Sequence, residues 1–136
     1  MKKLFAILVF INLIHGINAQ YNKGVVLEPV LKTDTTSIGQ KIVYPNFAND
    51  EVSIVKVTIP PGKSTGWHKH TFPVFAYVLQ GTLTVEVENK KTLQFPKGSS
   101  FSEVINTLHN GENNGKEDLI LIAFFMGEKG KPLSVH

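Results

Sequence analysis

The sequence predicts an all-β sandwich or barrel, on three observations. After the first 19 residues no apolar pattern has the period or length of a helix. Short runs rich in β-branched and aromatic residues recur along the chain, each closed by Gly, Pro or Asn. The run 82–88 alternates cleanly, and the run 119–126 is apolar without a break, as a strand buried on both faces would be. The 136 residues suit a single domain with a real core, and no repeat or second domain is visible.

The first 19 residues form an export signal by pattern. Met1-Lys2-Lys3 is a short positive start, Leu4 to Ile14 is apolar apart from Asn12, and Ala19 is a small residue before Gln20. The apolar run is short for a bilayer span. Cleavage there leaves about 117 of the 136 residues, in a secreted or periplasmic product with no membrane association. Without Cys there is neither a disulfide nor a lipid-modified thiol.

From Tyr21 to Asp50 the pattern is loose. Gly24-Val25-Val26-Leu27 and Lys41-Ile42-Val43-Tyr44 are candidate short strands, and Lys32 to Gly39 reads as a loop. Val52 to Ile59 is a β-branched strand stopped by Pro60-Pro61-Gly62. Phe72 to Leu79 is the next, closed by Gly81. In Thr82 to Glu88 the residues Leu83, Val85 and Val87 go inward, and Glu86 and Glu88 lie on a solvated face. Asn89-Lys90 is a turn, Lys91 to Phe95 a short strand, and Pro96-Lys97-Gly98 a second turn. Ser99 to Ile105 is a further strand, with His109 just beyond it, and Glu112 to Lys116 is a polar turn. Leu119 to Met126 is the buried strand, and the tail from Gly127 reads as mobile at His136.

Formal charge is +3, and all fourteen basic residues are Lys. Without Lys2 and Lys3 the balance falls to +1. No lysine cluster carries interleaved aromatics, so nucleic acid is not an expected partner. The absence of Arg removes the forked clamp that suits phosphate and carboxylate substrates.

The chemistry concentrates in Gly62 to Gly81. His68 and His70 are one residue apart, so on a strand both imidazoles share a face, followed by Phe72, Val74, Ala76 and Val78. Imidazole is the commonest protein metal ligand, and His109 is a remote third candidate. H-x-H alone is a weak signal and serves equally well as a solvated turn.

Gly62, His68, His70 and Gly81 stand at the spacing of the first cupin motif, and Gly98, His109 and Asn113 at that of the second. On these residues, over most of the chain after residue 19, the sequence resembles a small single-domain cupin. The resemblance implies one cupin domain over 20–136, a double-stranded β-helix or jelly-roll barrel. It also implies a divalent transition metal (Fe, Mn, Ni, Zn or Cu) held by His68, His70 and His109. Three positions depart from the pattern. Val74 occupies the place of the first motif's glutamate, and Val104 and Asn106 replace the Pro and Gly of the second. Three neutral imidazoles leave a more positive ion than three with a carboxylate.

Glu103 is the candidate substitute. It shares strand parity with Phe101 and Ile105, and a carboxylate on an apolar face is costly unless paired or metal-bound. It is read as a fourth ligand, as a base beside the metal, or as a rim residue bonded to backbone. Asn113 reads as a turn holder, and Trp67 as packing beside the site or within the core.

The resemblance extends to quercetin-dioxygenase-type cupins, which implies a small metal-dependent oxygenase acting on a chelating organic molecule. A metal-dependent isomerase or lyase of a small sugar or keto acid, and a non-catalytic ligand-binding module, are the other readings. Phe72, Val74, Phe101 and Ile105 are the expected apolar lining for a small-molecule ligand. The strand with Val74, Ala76 and Val78 on one face carries Phe75, Tyr77 and Leu79 on the other, which predicts a homodimer that covers this outer face.

Overall fold

The computed structural model describes residues 22–89 and 91–136. The expected signal over 1–19, with its cleavage point before Gln20, lies outside the described residues. Among the described residues seven strands form: β1 (Asp50–Ile59), β2 (Val74–Gln80), β3 (Thr82–Val87), β4 (Lys91–Pro96), β5 (Ser100–Ser102), β6 (His109–Glu112) and β7 (Leu119–Glu128). They make two antiparallel sheets, one ordered β1-β7-β2-β5 and one ordered β4-β3-β6. This is the expected all-β jelly roll, a double-stranded β-helix.

Alternation explains the core. The inner faces meet as one cluster that includes Ile59, Val74, Ala76, Val78, Leu83, Val85, Val87, Leu119, Leu121, Ala123 and Phe125. β7 runs through the middle of its sheet, paired on both sides, with residues strictly alternating between buried and half-buried. The apolar run at 119–126 is therefore a central strand, as its composition predicts. Gly81 links β2 to β3 at φ 78°, and a side chain there would meet the Leu119 backbone at 3.2 Å. Only glycine suits that corner.

Four segments differ from the sequence reading. Residues 24–27 and 41–44 are not strands: only Lys41 bridges, to Thr35, because no neighbouring strand offers these segments a ladder. The strand expected over 99–105 stops at Ser102. Beyond it the chain bends, with Asn106 at φ 51° where the motif has glycine, and Asn is among the few residues that tolerate this region. The tail is not free. Val135 forms a bridge with Lys69, with two backbone hydrogen bonds of 2.9 and 3.0 Å.

Candidate metal centre

His68 and His70 sit on a short extended segment that pairs residue by residue with three other parts of the chain. His68 bridges His109, Lys69 bridges Val135 and His70 bridges Ile105. This keeps the alternation that puts both imidazoles on one side. His109 begins β6, where its register partner is Val87 and the next inward residue is Gly111. Glu103 follows β5, and its N–H donates to Val74 O at 2.8 Å, which holds its backbone at the start of β2. Between Glu103 and His109 the chain bends back, and Asn106 N–H donates to His70 O at 2.8 Å.

The result is a cluster. One ligand atom from each of His68, His70, Glu103 and His109 lies within 4.8 Å of all the others. The imidazole centroids are 4.4 to 5.1 Å apart. The orientation of each ring is set from behind by a backbone carbonyl. His68 Nδ1–H donates to Gly66 O at 2.8 Å, His70 Nδ1–H to Leu133 O at 2.7 Å, and His109 Nδ1–H to Thr107 O at 3.0 Å. Carbonyls only accept, so in all three rings the Nδ1 position is protonated and Nε2 is the nitrogen offered to an ion. Glu103 Oε2 stands 2.8 Å from His109 Nε2 and 3.2 Å from His70 Nε2. Three such nitrogens and one carboxylate oxygen are a donor set that fits a divalent transition metal.

Burial and charge work against each other here. Burial raises the Glu103 carboxyl, but hydrogen bonds from His109 and His70 outweigh it and hold the group down at about 2. Burial depresses His109, but the Glu103 carboxylate more than reverses this and raises it above its ordinary value. His68, further from the carboxylate, is lowered by burial despite its bond to Gly66.

The cluster lies in a cavity of about 260 Å³ between the two sheets. Val57, Ile59, Leu83, Val85, Leu121 and Phe125 supply most of its apolar wall. The four residues expected to line it do not. Phe72, Val74 and Phe101 are buried in the core and Ile105 is half-buried. Phe72 instead lies against His70, ring centroids 6.4 Å apart, and Phe101 stacks on Phe95 at 3.9 Å. Strand parity put these side chains inward but cannot say which stretch of the inner face stays packed.

Trp67 is neither core nor site wall: it is 47 % exposed and faces a separate surface groove with Glu86 and Glu88. Asn113 does hold a turn. Its amide donates to Ile59 O and Glu117 O at 2.7 and 2.8 Å and accepts from Gly115 N–H.

Two contributors escape the sequence reading. The Gln40 amide accepts from Ile105 N–H at 3.0 Å and donates to Ile105 O at 2.9 Å and Thr107 Oγ1 at 3.1 Å, so it clamps the bend carrying Glu103 and His109. Leu133 supplies the carbonyl that orients His70. Neither residue type is distinctive, and both act over more than sixty residues of sequence separation.

Several solved structures resemble this fold. A predicted oxalate decarboxylase from Thermotoga maritima is 28 % identical, with a TM-score of 0.48 over 54 % of this chain and 64 % of that one. A cupin domain from Bordetella pertussis is 24 % identical, with a TM-score of 0.51 over 60 % of this chain and 86 % of that one. The DMSP lyase DddQ from Ruegeria pomeroyi is 14 % identical, with a TM-score of 0.53 over 62 % of this chain and 42 % of that one. The chain thus spans less than two thirds of the length of the first and third of these proteins. At these identities the likeness concerns the fold. No curated protein matches the sequence. The family model for the cupin domain matches residues 55–125, a span that takes in His68, His70, Glu103 and His109, and the chain belongs to the cupin family.

Proposed function

We propose that this protein is an exported, metal-dependent oxygenase of the cupin family that acts on an apolar, chelating organic substrate. The observation that carries the reading is the division of the cavity. One end converges three Nε2 atoms and Glu103 Oε2, and the rest of the lining is mostly aliphatic and aromatic, with no Lys among its residues. Such a wall excludes water and suits a flat or hydrophobic molecule better than a sugar phosphate. A divalent ion held by the four side chains supplies Lewis acidity and sites for a pair of substrate oxygens.

The chain's own groups have distinct tasks. Gly66, Leu133 and Thr107 carbonyls keep the imidazoles in the ligating tautomer. Glu103, ionised by its histidine neighbours, offsets the charge of the ion. Outside bonding reach of the ion, Glu103 Oε2 would instead hold a proton released by a substrate hydroxyl. Phe125 meets the His70 ring edge-on at 5.5 Å and closes the wall beside it.

The test is oxygen uptake by protein loaded in turn with Fe, Mn, Ni, Cu and Zn, with a flavonol and a β-diketone as substrates. Uptake with one metal, abolished by His109→Ala, supports the reading. Oxygen-independent turnover of a small sugar or keto acid would move the protein to the isomerase or lyase class. Tight binding without turnover would make it a ligand-binding module. Export is supported by the Lys2-Lys3 start and the apolar run after it. Intact mass of the exported protein should show a chain beginning at or near Gln20, and a full-length product would overturn that part.

A further inference from the structure

The metal-side histidines have a neighbour that no motif contains. His136 belongs to the cavity lining together with Leu133 and Ser134, although it is an exposed residue of the tail. It therefore stands where the cavity meets solvent. The tail reaches this place because it is tied at three successive points to the segment bearing His68 and His70. Leu133 O receives His70 Nδ1–H, Val135 exchanges both backbone hydrogen bonds with Lys69, and His136 Nδ1–H donates to Trp67 O at 2.9 Å. The His136 ring lies 6.4 Å from the His68 ring, inclined at 62°.

That last hydrogen bond defines the chemistry His136 offers. The Trp67 carbonyl only accepts, so the neutral ring carries its proton on Nδ1 and Nε2 is a bare acceptor. Most of the other lining residues provide nothing equivalent. The Thr65 hydroxyl already donates to Gly66 O and accepts from Gly111 N–H. His68, His70, His109 and Glu103 face one another, and most of the remaining wall is aliphatic or Phe.

We propose that His136 is a ligand-positioning residue, whose Nε2 accepts a hydrogen bond from a hydroxyl group on the organic molecule bound at the metal. The tail acts as a strap that fixes this acceptor relative to the metal-side histidines. The inference rests on the four-residue cluster being a metal centre, but not on the oxygenase reaction.

The test uses Co(II)-loaded protein and two probes. Kojic acid chelates through its ketone oxygen and the neighbouring ring hydroxyl, and keeps a free hydroxymethyl group. Allomaltol has the same chelating ring with a methyl in that place. The wild-type protein should bind kojic acid roughly fivefold better than allomaltol, the value of one net hydrogen bond. In His136→Phe that preference should vanish, with Co(II) affinity and the visible Co(II) spectrum unchanged. His136→Gln, which keeps an acceptor at a similar reach, should restore part of it. Equal preference in wild type and His136→Phe, with Co(II) bound in both, overturns the proposal and leaves the metal centre standing. A fall in Co(II) affinity in His136→Phe also overturns it, because the residue would then support the ion and not the ligand. Failure of the wild type to take up Co(II) overturns the metal centre itself.

Discussion

His109 Nε2 and Glu103 Oε2 lie 2.8 Å apart, six residues from each other along a bend that the Gln40 amide holds in place. At that distance a proton is shared between imidazole and carboxylate, and an ion that takes both as ligands must displace it. The pair answers one departure from the family motif: Val74 stands where the first motif has its glutamate, and the carboxylate arrives instead from the stretch of the second.

Above about pH 6.5 metal binding and the ion-free fold should therefore respond to pH in opposite ways. In chelator-treated protein Glu103, held at about 2 against an ordinary 4.5, contributes stability above about 4.5 that is lost as pH falls toward 2. His109, raised above an ordinary 6.5, contributes stability below about 6.5 that is lost as pH rises through its folded value. The pair should stabilise the ion-free protein most between these limits. Metal affinity should rise with pH, and its loss on acidification should begin above 6.5, because His109 holds its proton more tightly than an ordinary imidazole. Calorimetric titration of Co(II) in buffers of different ionisation enthalpy should show proton release as the ion binds, growing as pH falls through the raised His109 value. No proton release at pH 6 to 7 would contradict the shared-proton geometry.

Glu103→Gln keeps the size of the side chain and removes its charge. As a ligand, its loss should lower metal affinity by about one to two powers of ten. As a base toward a substrate hydroxyl, its loss should leave metal content intact while turnover falls. Competition against a chelator, read beside turnover, separates the two. If neither changes, Glu103 is a structural residue at the rim and the charge-offset argument fails.

The parts of this site that were legible in the sequence share a property: their signal is local. His68 and His70 declare themselves by alternation and by the distance to Gly62 and Gly81. Glu103 stands out as a carboxylate among Phe101 and Ile105. The jelly roll is legible for the same reason, since β3 and β7 carry their burial pattern in their own residues. Leu133 and Gln40 were illegible because one acts through a main-chain carbonyl and the other through an ordinary amide, each on a partner far away in sequence. The cavity wall was misplaced for a third reason. Parity assigns Phe72 and Val74 to the inner face, but closure of the two sheets decides which inner residues touch each other and which face open space.

Gln40 should then matter more than its residue type suggests. Removing its side chain in Gln40→Ala leaves the Ile105 N–H without its partner, while Ile105 O and the Thr107 hydroxyl keep only the 3.0 Å bond they make to each other. The expected cost is about 1–3 kcal/mol in urea unfolding of chelator-treated protein. Metal affinity should fall as well, because the bend that brings Glu103 to His109 loses its clamp. A stability change within about 0.5 kcal/mol, the range of an ordinary surface substitution, would show that solvent replaces the amide at no cost.

The last expectation concerns the outer face of the larger sheet. Register places Ile54 opposite Phe124 and Phe124 opposite Phe75, and in the next outward row Lys56 opposite Ile122 and Ile122 opposite Tyr77. Val52, Ile54 and Leu79 on this face are 57, 64 and 42 % exposed. Lys56 is the single charge in these two rows, so the surface has little to offer a strongly charged partner and much to offer its own copy. An exposed apolar sheet face of this kind is a surface that a second copy of the chain can cover. We propose a homodimer built on this face. Light scattering at micromolar concentration should give twice the chain mass, and Ile54→Glu, which buries nothing in the core, should reduce it to the single-chain value with bound metal unchanged. A wild-type protein that runs at the single-chain mass under those conditions would rule the homodimer out.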